Sequence, residues 1–139
     1  MASVEAYAQW VDVAVQNTFR SGDIQIKNAG LDWGKFYKDG DKNKEISSSG
    51  VNKIIIRPGS VAHVYSCGRE NASSGTEGSI DLYEDSTYIC TIYFHCPWGS
   101  KYNDFQVRNR NKDYPVSVGP WNRHGGALGQ VDVEVAKRG

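Results

Sequence analysis

Val11-Asp12-Val13-Ala14-Val15-Gln16 sets a β-branched apolar residue at every second position and fills the gaps with Asp, Ala and Gln. Successive side chains of a strand point to opposite faces, so this period of two puts the three valines on one face. A helix would spread the same valines around its circumference. The pattern returns at the far end of the chain as Val131-Asp132-Val133-Glu134-Val135, and it recurs between the two. Ile24 and Ile26 alternate with Gln25 and Lys27 after a Ser21-Gly22 turn, which predicts a first hairpin with the opening run. Further strands are expected over residues 53–57, 61–65, 79–83, 88–95, 104–107 and 114–118. Turn-rich breaks separate them, among them Lys38-Asp39-Gly40-Asp41, Ser47 to Gly50, Pro58-Gly59 and Ser73-Ser74-Gly75. No apolar stripe at helical spacing is long enough to assign a helix. Eight to ten short strands at this spacing predict an all-β fold, a single-domain antiparallel β-sandwich over residues 1–139.

The totals narrow the function. A chain of 139 residues can bury a sizeable core without disulfides or metals. Sixteen basic residues cancel sixteen acidic ones, so the chain lacks the positive footprint that nucleic acid requires, and no nucleic-acid partner is expected. The same balance argues against purely electrostatic attachment to anionic lipid. No stretch approaches the ~20 apolar residues of a membrane span, and no amphipathic hairpin or helix is long enough to insert. Met1-Ala2-Ser3-Val4-Glu5 carries no basic n-region or apolar h-region. The expected location is therefore secretion without a visible signal peptide, or the cytoplasm until release, with action at a target membrane surface.

Two tryptophans stand where the chain should turn. In Cys96-Pro97-Trp98-Gly99-Ser100-Lys101, Pro97 and Gly99 break the strand that precedes them, and Leu31-Asp32-Trp33-Gly34-Lys35 repeats the element. An indole in such a turn is badly placed for a sandwich core and well suited to a water boundary. Each Trp-Gly pair has a lysine close by. The combination points to a binding surface and away from a catalytic cleft.

Several phrases resemble the aegerolysin family of small lipid-binding β-sandwich proteins. They are Ala6-Tyr7-Ala8-Gln9-Trp10-Val11, Trp33-Gly34-Lys35, Asp39-Gly40-Asp41-Lys42, Ser66-Cys67-Gly68-Arg69, Gly75-Thr76, Asp81-Leu82, Cys96 to Lys101, and Gly125-Gly126-Ala127. They occur in family order over nearly the whole chain, with most likeness to the Asp-hemolysin-like fungal members. The resemblance implies binding of sphingomyelin with cholesterol, ceramide phosphoethanolamine, or lysophospholipids and oxidised lipids. It also implies a recognition role in a two-component cytolysin whose perforin-class partner makes the pore. Some sphingomyelin–cholesterol-binding relatives carry an acid where this chain has Ser74, and some carry one at His95, so a different headgroup preference is expected here.

The lipid-binding residues expected on these grounds are Trp33, Trp98, Lys101, Trp10 and Tyr93. The Trp98 indole would wedge at the glycerol–headgroup level while the Lys101 ammonium meets a phosphate. Trp10 opens the first strand on the face opposite the valines, and Tyr93 would donate to a headgroup. Ser100 and Tyr102 are lesser polar candidates, and Trp121 reads as structural or rim.

Other chemistry finds little support in the sequence. Asp39-Gly40-Asp41-Lys42-Asn43-Lys44 opens like a calcium loop but carries Lys44 where glycine is needed and Gly50 where the bidentate glutamate belongs. No metal or cofactor is expected. Cys67, Cys90 and Cys96 cannot all pair with one another; they read as structural thiols, with one disulfide as the alternative. Cys96 cannot reach its neighbour His95 across a strand, and no nucleophile motif is present, so catalytic residues are absent from the expectation and the chain is not read as an enzyme. The competing class is a lectin-like carbohydrate-binding β-sandwich, since aromatic loops also stack on sugars.

Overall fold

The computed structural model describes residues 8–99 and 101–139. The N-terminal reading of Met1 to Glu5, the Ala6-Tyr7 portion of the first family phrase, and the contact assigned to Ser100 lie outside the described residues. In chain order the strands are β1 (Trp10–Asn17), β2 (Ile24–Trp33), β3 (Lys35–Lys38) and β4 (Asp41–Ile46). A single helical turn, α1 (Ser48–Val51), then precedes β5 (Ile55–Ile56) and β6 (Val61–Cys67). They continue as β7 (Thr76–Glu84), β8 (Thr87–Cys96), β9 (Asp104–Arg108), β10 (Val116–Val118) and β11 (Gly129–Val135). One sheet has six strands in the order β10-β11-β1-β6-β3-β4, and the other has five in the order β5-β2-β7-β8-β9. The all-β sandwich expected from the alternation is what forms.

Its core is the period-two pattern folded onto itself. Val11, Val13 and Val15 of β1, with Val131, Val133 and Val135 of β11, face Ile24, Ile26, Ile80, Leu82, Ile92 and Phe94 of the second sheet. β-branched side chains with few rotamers suit a pleated surface and lose little freedom on burial. Among the described residues no helix is long and apolar enough to cross a membrane.

Three details depart from the sequence expectation. First, β1 and β2 do not form a hairpin: β1 lies in the six-stranded sheet and β2 in the five-stranded one. Asn17 explains the crossing. Its fully buried amide donates to Gly22 O at 3.0 Å and Ile56 O at 2.8 Å, while its oxygen accepts from Phe19 N at 2.8 Å. The connection is thereby held across the sandwich edge instead of folding back on β1. Second, β1 and β11 pair in parallel, Val13 opposite Val131 and Val15 opposite Val133, within an otherwise antiparallel fold. A parallel neighbour needs a long connection, and here nearly the whole chain supplies it. Third, β3 and β4 are not among the expected strands, and the expected turn at Lys38 to Asp41 is the turn of the hairpin between them. Asp39 and Gly40 sit at φ 58° and 66°, the positive pair that a two-residue type I′ turn requires. β4 reads Asp-Lys-Asn-Lys-Glu-Ile because it is an edge strand, and charge there discourages pairing with another chain.

Candidate functional site

The topology gathers one set of loops at one end of the sandwich. β2, β6, β8 and β10 end there, and β1, β3, β7, β9 and β11 begin there. The registers give the rim directly, as Trp33–Glu77–His95–Asp104 across the five-stranded sheet and Trp10–Cys67–Lys35 across the other.

Trp33 sits where the chain passes from the second sheet to the first, and it is 57% exposed. A register shift between Leu31 and Trp33 sets it opposite Glu77, on the outer face. Gly34 follows at φ 94°, and a Cβ there would lie 2.5 Å from Cys67 O and 2.8 Å from the Thr76 side chain. Only glycine fits. Beneath it, the buried Ser66 and Thr76 hydroxyls lie 2.5 Å apart, one reaching Lys35 O at 2.9 Å and the other Trp33 O at 3.1 Å. The indole is presented by a loop with a fixed base.

The β8–β9 loop carrying Trp98 and Lys101 is tied down by two buried amides. Gln9, with its nitrogen facing the loop, donates to Pro97 O at 3.0 Å and Gly126 O at 3.3 Å. Asn103 donates to Asn122 O at 3.0 Å and Gly126 O at 3.1 Å. These bonds join three loops into one block. Trp98 is half-buried, and its Nε1, itself out of solvent, has no hydrogen-bond partner among the described residues. A buried donor without an acceptor costs ~1–3 kcal/mol, a local penalty carried by this loop. Lys101 is exposed. Tyr102 beside it is 77% exposed and meets His124 edge-on at 5.4 Å.

The five expected residues are thus not all in one place. Trp33, Trp98 and Lys101 belong to this end. Trp10 is on its rim, but the ring is turned along the outer face of the six-stranded sheet, with the Lys42 ammonium 5.4 Å from its centroid. Tyr93 lies further down the outer face of the other sheet. Its hydroxyl donates to Glu77 Oε2, and the Arg108 guanidinium covers its ring at 3.9 Å. Burial and the hydrogen bond to Glu77 push the phenol well above the usual tyrosine range. Glu77 also faces His95, Nε2 to Oε1 at 3.7 Å. The clamps Gln9 and Asn103 escaped the sequence reading as such, because a buried amide has no signature in its own neighbourhood, while Tyr102, a lesser polar candidate there, is exposed beside His124. Trp121, read as structural or rim, packs partly buried against Phe105, ring centroids 6.3 Å apart.

The thiols are buried and free. Burial pushes Cys67 and Cys96 up to about 11 and Cys90 up to about 12, so near neutral pH each is a thiol, which is a poor nucleophile. Cys96 points into the core and His95 away from it.

The described residues thus form a two-sheet sandwich with tryptophan-bearing loops clamped at one end. A profile described as Aegerolysin matches residues 8–138. Asp-hemolysin from Aspergillus fumigatus is 54% identical over 138 residues, 99% of each chain. Aegerolysin Aa-Pri1 from Cyclocybe aegerita is 43% identical over 137 residues, 96% of this chain and 94% of that one. Among solved structures, RahU protein in complex with a TRIS molecule superposes with a TM-score of 0.92 at 37% identity, covering 96% of this chain and 98% of that one. The chain belongs to the aegerolysin family.

Proposed function

We propose that this chain binds membrane lipids through the loop end that carries Trp33, Trp98 and Lys101. On this reading Trp10 contributes from the rim, and Tyr93 contributes by exchanging Glu77 for a lipid acceptor. The observation that carries the reading is the exposed Trp33 indole on a loop with a fixed base, at the same end of the sandwich as the Trp98 loop and the exposed Lys101. The indoles would enter the glycerol–headgroup layer, and the Lys101 ammonium would meet phosphate or ester oxygens. Each aromatic side chain fully removed from water contributes roughly 1.5–3 kcal/mol, enough for two or three of them to offset much of the cost of docking a folded domain. The Trp33 loop, held by Ser66 and Thr76, and the Trp98 loop, held by Gln9 and Asn103, lose little further freedom on docking.

The ligand class is a sphingolipid or lysophospholipid with a zwitterionic headgroup, in keeping with a chain of zero net charge. Within the family a hemolysin is 54% identical, which favours a part in membrane lysis. We assign this chain the recognition step, at the surface of a target membrane, and the pore to a perforin-class partner.

Co-sedimentation with defined vesicles tests the reading. The panel is phosphatidylcholine alone, sphingomyelin with cholesterol, ceramide phosphoethanolamine with cholesterol, and vesicles doped with lysophospholipid. Selective binding to one mixture is expected, abolished in the Trp33→Ala/Trp98→Ala double variant with its β-type circular dichroism intact. Absence of binding to all four, or a double variant that binds like the parent, overturns it.

A further inference from the structure

β6 has a strand on only one side for half of its length. β1 pairs with all of it, from Gln16 opposite Val61 to Trp10 opposite Cys67. β3 pairs only with Cys67, Ser66 and Tyr65, because the chain then turns away at Asp39 and Gly40. Val61, Ala62, His63 and Val64 therefore meet no strand on that side, and among the described residues no other backbone bond reaches them. In an antiparallel ladder alternate residues turn both N–H and C=O to the same side, so half of this stretch offers donors and acceptors there. The other edges of the two sheets are blunted. β4 is charged, β5 and β10 are two and three residues long, and β9 opens on Asp104 and closes on Arg108. The stretch from Val61 to Val64 has no lysine, proline or register shift to do the same.

Where a longer β3 would lie there is an open slot of about 340 Å³. It touches Val64 on the core side of β6 and His63 on the outer side, which puts it at the edge of the strand. Ile46, Val51 and Ile54 line its inner wall, and Ile46 and Ile54 are only partly buried. The rim is basic. Lys38 lines it at the β3 end, Lys53 precedes Ile54, and Arg57 O accepts from Ser60 N just before the open stretch; all three side chains are exposed. Asp39, the acid of the lining, already faces Lys44 at 3.6 Å.

We infer that this edge takes an extended, acidic segment of a partner protein as an added strand. The open N–H and C=O groups fix the conformation of the occupant, because an extended backbone is what matches them residue by residue. The slot and its rim fix its side chains. An apolar residue faces Ile46 and Ile54, and acidic residues on the flanks meet Lys38, Lys53 and Arg57. Strands lie ~4.8 Å apart, and the slot is walled by the β3–β4 hairpin and α1, so a single free segment enters it and the edge of a second sandwich does not. β6 reaches the tryptophan-bearing end at Cys67, and the open stretch is its other half. Occupancy of the slot is therefore independent of the lipid reading and compatible with it.

The test is a titration of the isotope-labelled chain, without lipid, with a capped heptapeptide of alternating valine and threonine that carries glutamate at both ends. The amides of Val61 to Val64 are expected to shift and to exchange more slowly, with a Kd of roughly 0.1–1 mM for so short a strand. The same peptide with lysine at both ends should bind roughly tenfold more weakly, and a version N-methylated at its central amides should not bind. In the Lys38→Glu/Arg57→Glu variant the preference between the two peptides should reverse, while co-sedimentation with the four vesicle mixtures stays as in the parent. The amide spectrum of the variant reports whether it is folded, and the single variant Lys53→Glu should narrow the difference between the peptides on its own. No response at Val61 to Val64, equal binding of the N-methylated peptide, or indifference to the charge of the peptide ends would overturn the inference. So would shifts of these amides on concentrating the chain alone, the sign that a second copy fills the edge.

Discussion

Trp98 and Gly34 are the two residues whose chemistry is most local. The indole N–H of Trp98 has no acceptor among the described residues, and Gly34 holds a backbone conformation that a side chain cannot share with Cys67 and Thr76. Both lie in Trp-Gly elements that the sequence flags, but only the surrounding atoms say why the glycine is there. Gly34→Ala places a Cβ against a backbone carbonyl at positive φ, where the conformational strain alone costs ~1–3 kcal/mol. We expect a loss of about 3 kcal/mol, read as a lower urea midpoint, together with weaker vesicle binding because the Trp33 loop loses its base. A variant as stable as the parent would mean that the Ser66–Thr76 clasp yields easily.

At the scale of elements, the decisive feature is how β1 leaves its sheet. Alternation assigned both β1 and β2 correctly as strands, yet the Ser21-Gly22 turn between them reads like a hairpin. The long-range bonds of Asn17 to Ile56 and Gly22 redirect it, and nothing adjacent in sequence announces them. Removing that amide leaves a buried N–H and two carbonyls short of partners, at ~1–3 kcal/mol for each such group. Asn17→Ala should lower stability by about 3 kcal/mol, read as a lower midpoint in chemical denaturation. The β3–β4 hairpin was missed for a different reason. Its Asp39-Gly40 turn is a strong hairpin signal, but the flanking Lys-Asn-Lys-Glu run has no apolar alternation to carry it, because an edge strand is kept charged.

The molecule as a whole is set against alkaline conditions. Burial, the first cause in each case, raises Cys67, Cys90, Cys96 and Tyr114 to about 11, 12, 11 and 12, above ordinary values of 9.0 for the thiols and 10.0 for the phenol. Between the unfolded and folded values of each group, the folded chain binds more protons than the unfolded one. Stability therefore falls as pH rises through that window. Thermal midpoints should hold below pH 9 and fall steadily from pH 9 to 11, with the thiols contributing first. Cys90→Ala should lessen the slope and leave a small cavity cost at neutral pH. A flat profile over that range would show that these groups titrate alike in both states. The fold carries a second global signature: β1 and β11, from opposite ends of the chain, are central neighbours, so the core closes only when nearly all of the chain is in place.

The sequence by itself determined which residues face inward, because a period of two assigns faces without reference to any partner. It also determined the family, through phrases spread over nearly the whole chain, and it singled out Trp33, Trp98 and Lys101 as members of unusual turns. Only the tertiary structure decided which strand lies beside which, that Trp10 turns away along a sheet face, and that Tyr93 already spends its proton on Glu77. The physical reason is common to all of these: alternation records the face of a side chain, whereas its neighbours are set by strand register and by buried hydrogen bonds between residues far apart in the chain.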